Sequence, residues 1–129
     1  MLYIIDTYAW VEYLIGSRKG ETLRKLFDST SNNFITLECC LAEINGWCIK
    51  NKLNFENIYS VIRSNSEIRT VLTEDWIRAA RIRFEMRKKI KDFGLIDSII
   101  LVKQMGYACK VVSGDLHFKN LKNVVYIGD

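Results

Sequence analysis

The 129-residue sequence predicts an α/β protein with three layers, in which a short parallel sheet of about five strands lies between helices. Two observations favour this class. Short, apolar segments with β-branched residues alternate along the chain with longer segments of helical periodicity. The short segments are apolar on both faces, as is typical of parallel strands that are covered by helices on either side. The chain has no proline, repeat or linker-like stretch, so we expect a single domain over residues 1–129.

Each element follows from its local pattern. Strands are predicted at residues 2–5, 34–37, 68–72, 108–112 and 124–127. Helices are predicted at residues 7–15, 20–30, 39–52, 54–63, 73–91 and 95–105, and a short helical turn at residues 115–121. Gly16 ends the first helix, and Gly94 separates the last two. The sequence T-E-D-W places acids in a first helical turn, so Thr73 is predicted to cap its helix.

The composition bounds the class of protein. Hydrophobic residues make up 49% of the chain and charged residues 26%, as in a soluble globular protein. The net charge of +4 is weakly compatible with a nucleic-acid partner. Four cysteines lack a C-x-x-C pair or a nearby histidine, so we expect buried thiols in a reducing compartment and no zinc site. With no basic leader and no apolar run of membrane-spanning length, we expect a cytoplasmic protein with no membrane partner.

Four acidic residues are predicted to lie at one edge of the sheet. Asp6 follows the first strand directly, and Asp115 follows the fourth strand after Ser113 and Gly114. Glu43 lies in the early turns of the helix after the second strand. Asp97 lies in the first turn of a helix that feeds the fourth strand, and such a helix runs antiparallel to its strand. All four therefore reach the carboxyl edge, where open α/β folds bind ligands.

These acids predict a divalent metal site. The residues around them are apolar, and a carboxylate in such surroundings is costly unless it is paired or bound to a cation. A hard cation such as Mg²⁺ takes carboxylate oxygens and can activate a water towards a phosphodiester. Each acid also has a structural alternative: Asp6 and Asp97 as helix caps, Asp115 in an Asx turn, and Glu43 as a solvated helix residue.

Four short motifs in order then resemble the PIN-domain family and, within it, the VapC-type toxins. The matching segments are I-I-D-T-Y-A-W, L-A-E-I, F-G-L-I-D-S-I-I-L and V-V-S-G-D-L-H-F-K-N-L, with a closing N-V-V-Y-I. The resemblance covers essentially the whole chain. It implies a five-stranded parallel sheet and an endoribonuclease that depends on Mg²⁺ or Mn²⁺.

The resemblance also implies roles for particular residues and partners. It carries over Asp6, Glu43, Asp97 and Asp115 as metal-binding and catalytic residues. It marks Thr7 and Ser113 as neighbours that orient water or carboxylates. It further implies an RNA substrate, a homodimer and inhibition by a small VapB-type antitoxin.

His117 departs from the family pattern, which often has another acid at this position. It is the only histidine, and its surroundings contain no nucleophile pattern, so a solvent-exposed or structural role is favoured over a substrate contact.

Core or dimer-interface packing is favoured over base stacking for the aromatic residues Trp10, Tyr13 and Trp47. An RNA-contacting surface and a solvated helix face are equally compatible with the basic residues Arg78, Arg81, Arg83, Arg87, Lys88, Lys89 and Lys91.

Other functions fit the sequence less well. A non-catalytic RNA-binding or scaffold PIN-like domain is the main alternative, but such a domain would be expected to lose its acids, and all four are present. An aspartyl phosphatase would need a second acid two residues after Asp6, where Tyr8 stands. A nucleotide-cofactor enzyme would need a glycine-rich phosphate loop after the first strand.

Overall fold

The computed structural model describes the whole chain from Met1 to Asp129. The strands are β1 (Leu2–Ile5), β2 (Asn33–Leu37), β3 (Glu67–Arg69), β4 (Lys110–Ser113) and β5 (Val124–Tyr126). The helices are α1 (Thr7–Leu14), α2 (Glu21–Phe27), α3 (Glu38–Lys50), α4 (Phe55–Asn65), α5 (Thr73–Met86) and α6 (Leu95–Tyr107). A 3₁₀ turn, Leu116–Phe118, lies between β4 and β5.

All five strands are parallel and form one sheet in the order β3-β2-β1-β4-β5. In the centre, Ile5 of β1 is in register with Val112 of β4. The chain leaves β1 for β2 on one side, whereas β4 and β5 lie on the other side. The strand order therefore reverses between β1 and β4, which creates a crevice at the carboxyl ends of these two strands.

Side chains alternate between two cores along each strand. Tyr3 and Ile5 of β1 face a core that includes residues of α1, α2, α3 and α4. Ile4 faces the opposite core, which includes residues of α5, α6 and the 3₁₀ turn. The arrangement confirms the predicted three-layer α/β/α class with five parallel strands.

The aromatic residues that were assigned to packing lie in or against the first core. Trp10 is fully buried, and its Nε1 donates a hydrogen bond to the Thr36 hydroxyl at 2.9 Å. Its ring lies 5.8 Å from the rings of both Tyr13 and Phe27. Tyr13 and Trp47 are half-buried against the same cluster. These contacts confirm core packing for Trp10 and show that Tyr13 and Trp47 pack against the same core.

The predicted helix over residues 73–91 begins at Thr73 as expected, but its cap and its C-terminal end were wrong. Leu72, not Thr73, is the capping residue, and its N–H donates to the Asp75 carboxylate at 2.8 Å. The helix ends at Met86, so the last four basic residues of the predicted set lie beyond it. The following segment turns so that Phe93 can be fully buried, and the Arg87 side chain donates to the Phe93 carbonyl at 2.7 Å. Other predicted bounds agree within about three residues.

Two further sequence expectations concern thiols and membranes. All four cysteines are free; Cys40, Cys48 and Cys109 are buried and Cys39 is half-buried. None of the helices combines the length and the apolar character that crossing a bilayer requires.

Candidate metal centre at the carboxyl edge

Asp6 is the buried centre of the crevice. It stands between β1 and α1 with 5% of its surface exposed. One carboxylate oxygen accepts a hydrogen bond from the Ala9 N–H at 2.9 Å, which caps α1, and the other accepts one from the Ser113 hydroxyl. The pKa of Asp6 is raised to about 7, mainly by burial and also by the nearby charges of Asp115 and Asp97, and the hydrogen bonds from Ser113 and Ala9 only partly offset these effects.

Ser113 links the ends of β1 and β4. Its side chain is fully buried, and its hydroxyl donates to the Asp6 carboxylate. The same oxygen accepts a hydrogen bond from the Asp115 N–H at 3.0 Å. Ser113 therefore holds both Asp6 and the backbone that carries Asp115, which matches the supporting position expected from the sequence.

The closest group of potential metal ligands is formed by Asp97, Asp115 and His117. One carboxylate oxygen of each acid and a ring nitrogen of the histidine all lie within 4.8 Å of one another. His117 Nδ1 is 2.7 Å from Asp97 Oδ2 and 3.6 Å from Asp115 Oδ1. The side chains are 17%, 41% and 27% exposed for Asp97, Asp115 and His117, so a cation or substrate can reach them.

Local hydrogen bonds orient these two carboxylates. Asp97 Oδ2 accepts from the Gly94 N–H at 2.8 Å at the start of α6. Asp115 Oδ1 accepts from the His117 N–H at 2.9 Å at the start of the 3₁₀ turn. Asp97 therefore caps α6 and Asp115 forms an Asx turn, which are the structural roles considered for them in the sequence. Both acids also belong to the group of potential metal ligands. Each acid keeps one oxygen that makes no hydrogen bond to a protein donor, which is the oxygen that a metal ion needs.

Glu43 stands apart from this group. Its side chain is exposed on α3, and its Oε1 accepts a hydrogen bond from the Thr7 hydroxyl at 2.7 Å. Thr7 directly follows Asp6, so the hydroxyl joins Glu43 to the crevice through α1. The 4.8 Å group thus contains Asp97, Asp115 and His117. Asp6 lies outside it but is joined to the Asp115 backbone through Ser113, and Glu43 lies outside it as well.

His117 is a candidate ligand that the sequence analysis did not include among the site residues. The favoured expectation was an exposed or structural side chain; the imidazole is partly exposed, lies between Asp97 and Asp115 and packs near Phe93, so it has structural contacts at a position where it could also bind a cation. The available signal was its position two residues after Asp115, where the family often has an acid. As an N–H, Nδ1 donates to the Asp97 carboxylate; without its proton it has a lone pair that can coordinate a cation.

The donor set fits a divalent cation. None of the four acids forms an ion pair with a lysine or an arginine, so His117 is their only potential cationic partner. Carboxylate oxygens suit Mg²⁺ and Mn²⁺, and an imidazole nitrogen favours the softer transition metal of the two. A buried carboxyl with a raised pKa is a further indication, because a cation beside it would favour the charged form.

The basic residues of α5 lie near the other end of α6. Arg78 and Arg81 line a groove with Val102 and Met105 of α6. Met105 is eight residues after Asp97, about 12 Å along the helix axis. An RNA-contacting role for these arginines stays a prediction.

Comparisons with known proteins find likeness in structure. No family model matches the sequence, and no curated protein matches it. A chain of a toxin–antitoxin complex from Klebsiella pneumoniae has a TM-score of 0.75 and 16% identity, over 98% of both chains. A chain of VapBC2 from Rickettsia felis, bound to a promoter DNA fragment, has a TM-score of 0.73 and 19% identity, over 98% of this chain and 97% of that one. Mycobacterium tuberculosis VapC20, a toxin that cleaves the sarcin-ricin loop, has a TM-score of 0.67 and 12% identity, over 84% of this chain and 86% of that one.

The fold and the site together define an α/β/α protein with an acidic crevice at the switch point of a parallel sheet. More particularly, the fold is that of the VapC toxins. The comparisons therefore confirm the PIN-domain fold that the sequence motifs implied.

Proposed function

We propose that this chain is a metal-dependent endoribonuclease that acts as the toxin of a type II toxin–antitoxin pair in the cytoplasm. One observation carries the proposal. Two carboxylates and an imidazole nitrogen lie within 4.8 Å of one another, beside a third, buried carboxyl, and no lysine or arginine pairs with them. Such a group is stabilised by a divalent cation, and phosphodiester hydrolysis is a reaction that a cation of this kind supports.

The residues of the crevice would have different roles in binding the metal and in orienting its ligands. Asp97, Asp115 and His117 would hold the cation directly, with Asp6 behind them. A bound Mg²⁺ or Mn²⁺ would supply an activated water and neutralise charge on the phosphate. Ser113 keeps the Asp6 carboxylate oriented by donating to it.

Glu43 and Thr7 would act at the rim of the crevice. Glu43 is exposed, so its carboxylate is free to accept a proton from a water or to contact a metal-bound water. The Thr7 hydroxyl donates to Oε1 at 2.7 Å and so fixes the direction of the carboxylate. Both roles agree with those that the family resemblance implies.

The structural neighbours support an RNA substrate and a protein inhibitor. VapC20 is a toxin that cleaves the sarcin-ricin loop, and the other two neighbours come from toxin–antitoxin complexes. We propose, by this likeness and by the resemblance of the motifs, that the chain cuts RNA, forms a homodimer and is inhibited by a VapB-type antitoxin.

The test is cleavage of an end-labelled single-stranded RNA by purified protein in Mn²⁺, in Mg²⁺ and in EDTA. We expect cleavage with either metal and none in EDTA. Asp97→Asn should lower the rate by at least about a hundredfold, because catalysis by a metal site contributes several kcal/mol. Asparagine keeps the oxygen that accepts from the Gly94 N–H, so the start of α6 is preserved.

A matched control is Asp92→Asn, which removes an exposed acid that forms no ion pair. It should cut RNA like the unmodified protein. Metal binding is measured separately as the rise in melting temperature with Mn²⁺. RNA binding without cleavage and without a metal-dependent rise would contradict the proposal and favour the non-catalytic RNA-binding alternative.

A further inference from the structure

A second cavity adjoins the acidic crevice. Its volume is about 450 Å³, within the range of roughly 300–1,000 Å³ that is common for small-ligand sites. Asp115 and His117 belong to both the cavity and the crevice. Its other lining residues are Tyr8, Gly114, Leu116, Tyr126 and Asp129. A ligand that extends from the crevice along this side would therefore enter the cavity.

Two tyrosines supply aromatic walls. The Tyr8 ring lies so close to Gly114 that a side-chain carbon there would be 2.2 Å from Tyr8 Cε1, so glycine leaves room for the ring. Tyr126 also lines the cavity, and its hydroxyl oxygen is buried without a hydrogen-bond partner in the protein. A buried hydroxyl in this condition is rare because leaving it unpaired costs free energy. A polar ligand atom could satisfy it after a shift of the Tyr126 side chain that exposes the oxygen.

Two lysines lie beside these rings and contact Asp129, and Lys19 Nζ also donates to the Tyr8 hydroxyl at 3.1 Å. Lys19 Nζ lies 5.7 Å from the centre of the Tyr8 ring and donates to the Asp129 carboxylate at 2.9 Å. Lys119 Nζ lies 6.0 Å from the centre of the Tyr126 ring and donates to the Asp129 main-chain oxygen at 3.0 Å. The Asp129 side chain is 93% exposed, so this contact is weak and can be exchanged for another anion.

We propose that this cavity is a nucleotide subsite of the RNA strand, next to the phosphate that is cut. The nucleoside would occupy the space between Tyr8 and Tyr126, and its phosphate would bind Lys19 and Lys119 in place of Asp129. The inference rests on the proposed ribonuclease function and adds where the flanking strand binds. Aromatic rings combined with ammonium groups are the usual means of binding single-stranded nucleic acid without strong base preference.

In this arrangement Asp129 and an RNA phosphate compete for the ammonium groups of Lys19 and Lys119. Its carboxylate pairs with Lys19, and its main-chain oxygen accepts from Lys119. A phosphate must displace these contacts before it can use both ammonium groups. Removing the Asp129 charge is therefore expected to strengthen RNA binding, which is the opposite of the effect expected if Asp129 only stabilised the fold.

The experiment measures the Kd of a fluorescein-labelled, ten-nucleotide single-stranded RNA that contains all four bases, by anisotropy in EDTA, where no cleavage occurs. Lys19→Gln and Lys119→Gln should each raise Kd about fivefold or more. Each should also reduce the slope of log Kd against log salt by about 0.7, as the loss of one phosphate contact predicts. Asp129→Asn should lower Kd about threefold.

Two further variants separate binding from folding. Lys50→Gln removes an exposed lysine from the last residue of α3 and should leave both Kd and the salt slope unchanged. Tyr126→Phe removes the unpaired hydroxyl; the melting temperature should stay the same or rise, while Kd rises. Melting temperatures of the lysine variants should stay close to that of the unmodified protein, because their contacts to Asp129 are exposed; Lys19→Gln also removes the hydrogen bond to the Tyr8 hydroxyl.

The outcomes distinguish this subsite from the proposed function. If the lysine variants bind like Lys50→Gln, or if Asp129→Asn weakens binding, the subsite is wrong even though the unmodified protein still cuts RNA in Mn²⁺. If the unmodified protein neither binds this RNA nor cuts it, both the subsite and the ribonuclease proposal fail.

Discussion

Replacing Asp6 by asparagine should stabilise the metal-free protein at neutral and alkaline pH. The carboxyl is buried, and its pKa rises from an ordinary value of 3.8 to about 7. Between these two pH values the folded protein binds more protons than the unfolded chain, so its stability falls as the pH rises. Each pKa unit corresponds to about 1.4 kcal/mol, so the cost at pH 8 is about 4 kcal/mol. Below pH 3.8 the cost is absent.

Asparagine removes this cost while keeping most of the local contacts. Its side-chain oxygen can still accept from the Ala9 N–H, and its amide can donate to the Ser113 hydroxyl, which can rotate. At pH 8 in EDTA we expect the melting temperature of Asp6→Asn to exceed that of the unmodified protein by about 10–15 °C. At pH 5 the difference should be much smaller.

The assay is thermal unfolding followed by circular dichroism from pH 5 to pH 8, with Asp92→Asn as the exposed control. Addition of Mn²⁺ at pH 8 should stabilise the unmodified protein more than Asp6→Asn, because a cation relieves the repulsion that burial creates. A melting-temperature difference that is the same at pH 5 and pH 8 would refute the reasoning, since it would show that Asp6 does not titrate in this range.

Three other substitutions test packing and the rim of the crevice. Lys103→Met should lower the free energy of unfolding by about 3 kcal/mol in urea titrations, because it leaves the Asp75 carboxylate, 2.6 Å from Lys103 Nζ and 11% exposed, without its partner; adding Asp75→Asn should recover part of the loss. Gly114→Ala should cost about 1–3 kcal/mol through a clash with the Tyr8 ring, and Tyr8→Ala in the same chain should relieve it. Glu43→Gln should slow RNA cleavage at least about tenfold while changing the free energy of unfolding by less than about 0.5 kcal/mol, since the side chain is exposed. A loss of stability equal to the loss of activity would contradict the role given to Glu43.

The acids of the crevice have structural contacts in addition to the chemical roles proposed for them, which decides how they should be substituted. Asp6, Asp97 and Asp115 each use an oxygen to accept a backbone N–H at the start of a helix or turn. Alanine at these positions would remove a cap and a charge together. Asparagine separates the two effects because it keeps the accepting oxygen, so it is the informative substitution throughout.

Much of the architecture is determined by local sequence. The apolar segment at Leu2–Ile5 is a strand because its side chains can be buried on both faces, as Ile4 and Ile5 are. Asp6 and Asp115 lie at the carboxyl edge because each follows a parallel strand directly, and the helix that carries Asp97 must run back along the sheet. These placements depend on neighbours in the chain and on the handedness of connections, both of which can be read from the sequence.

Only the tertiary structure decides how these residues meet. The strand order puts β1 beside β4, so the Ser113 hydroxyl can donate a hydrogen bond to the Asp6 carboxylate although 107 residues separate the two. His117 reaches Asp97 at 2.7 Å across 20 residues, a contact that no local pattern predicts. Glu43 stays outside the group because α3 leaves its side chain on the surface. Distances between side chains on different elements depend on packing of the whole core, whereas the edge on which each residue lies depends on its own segment.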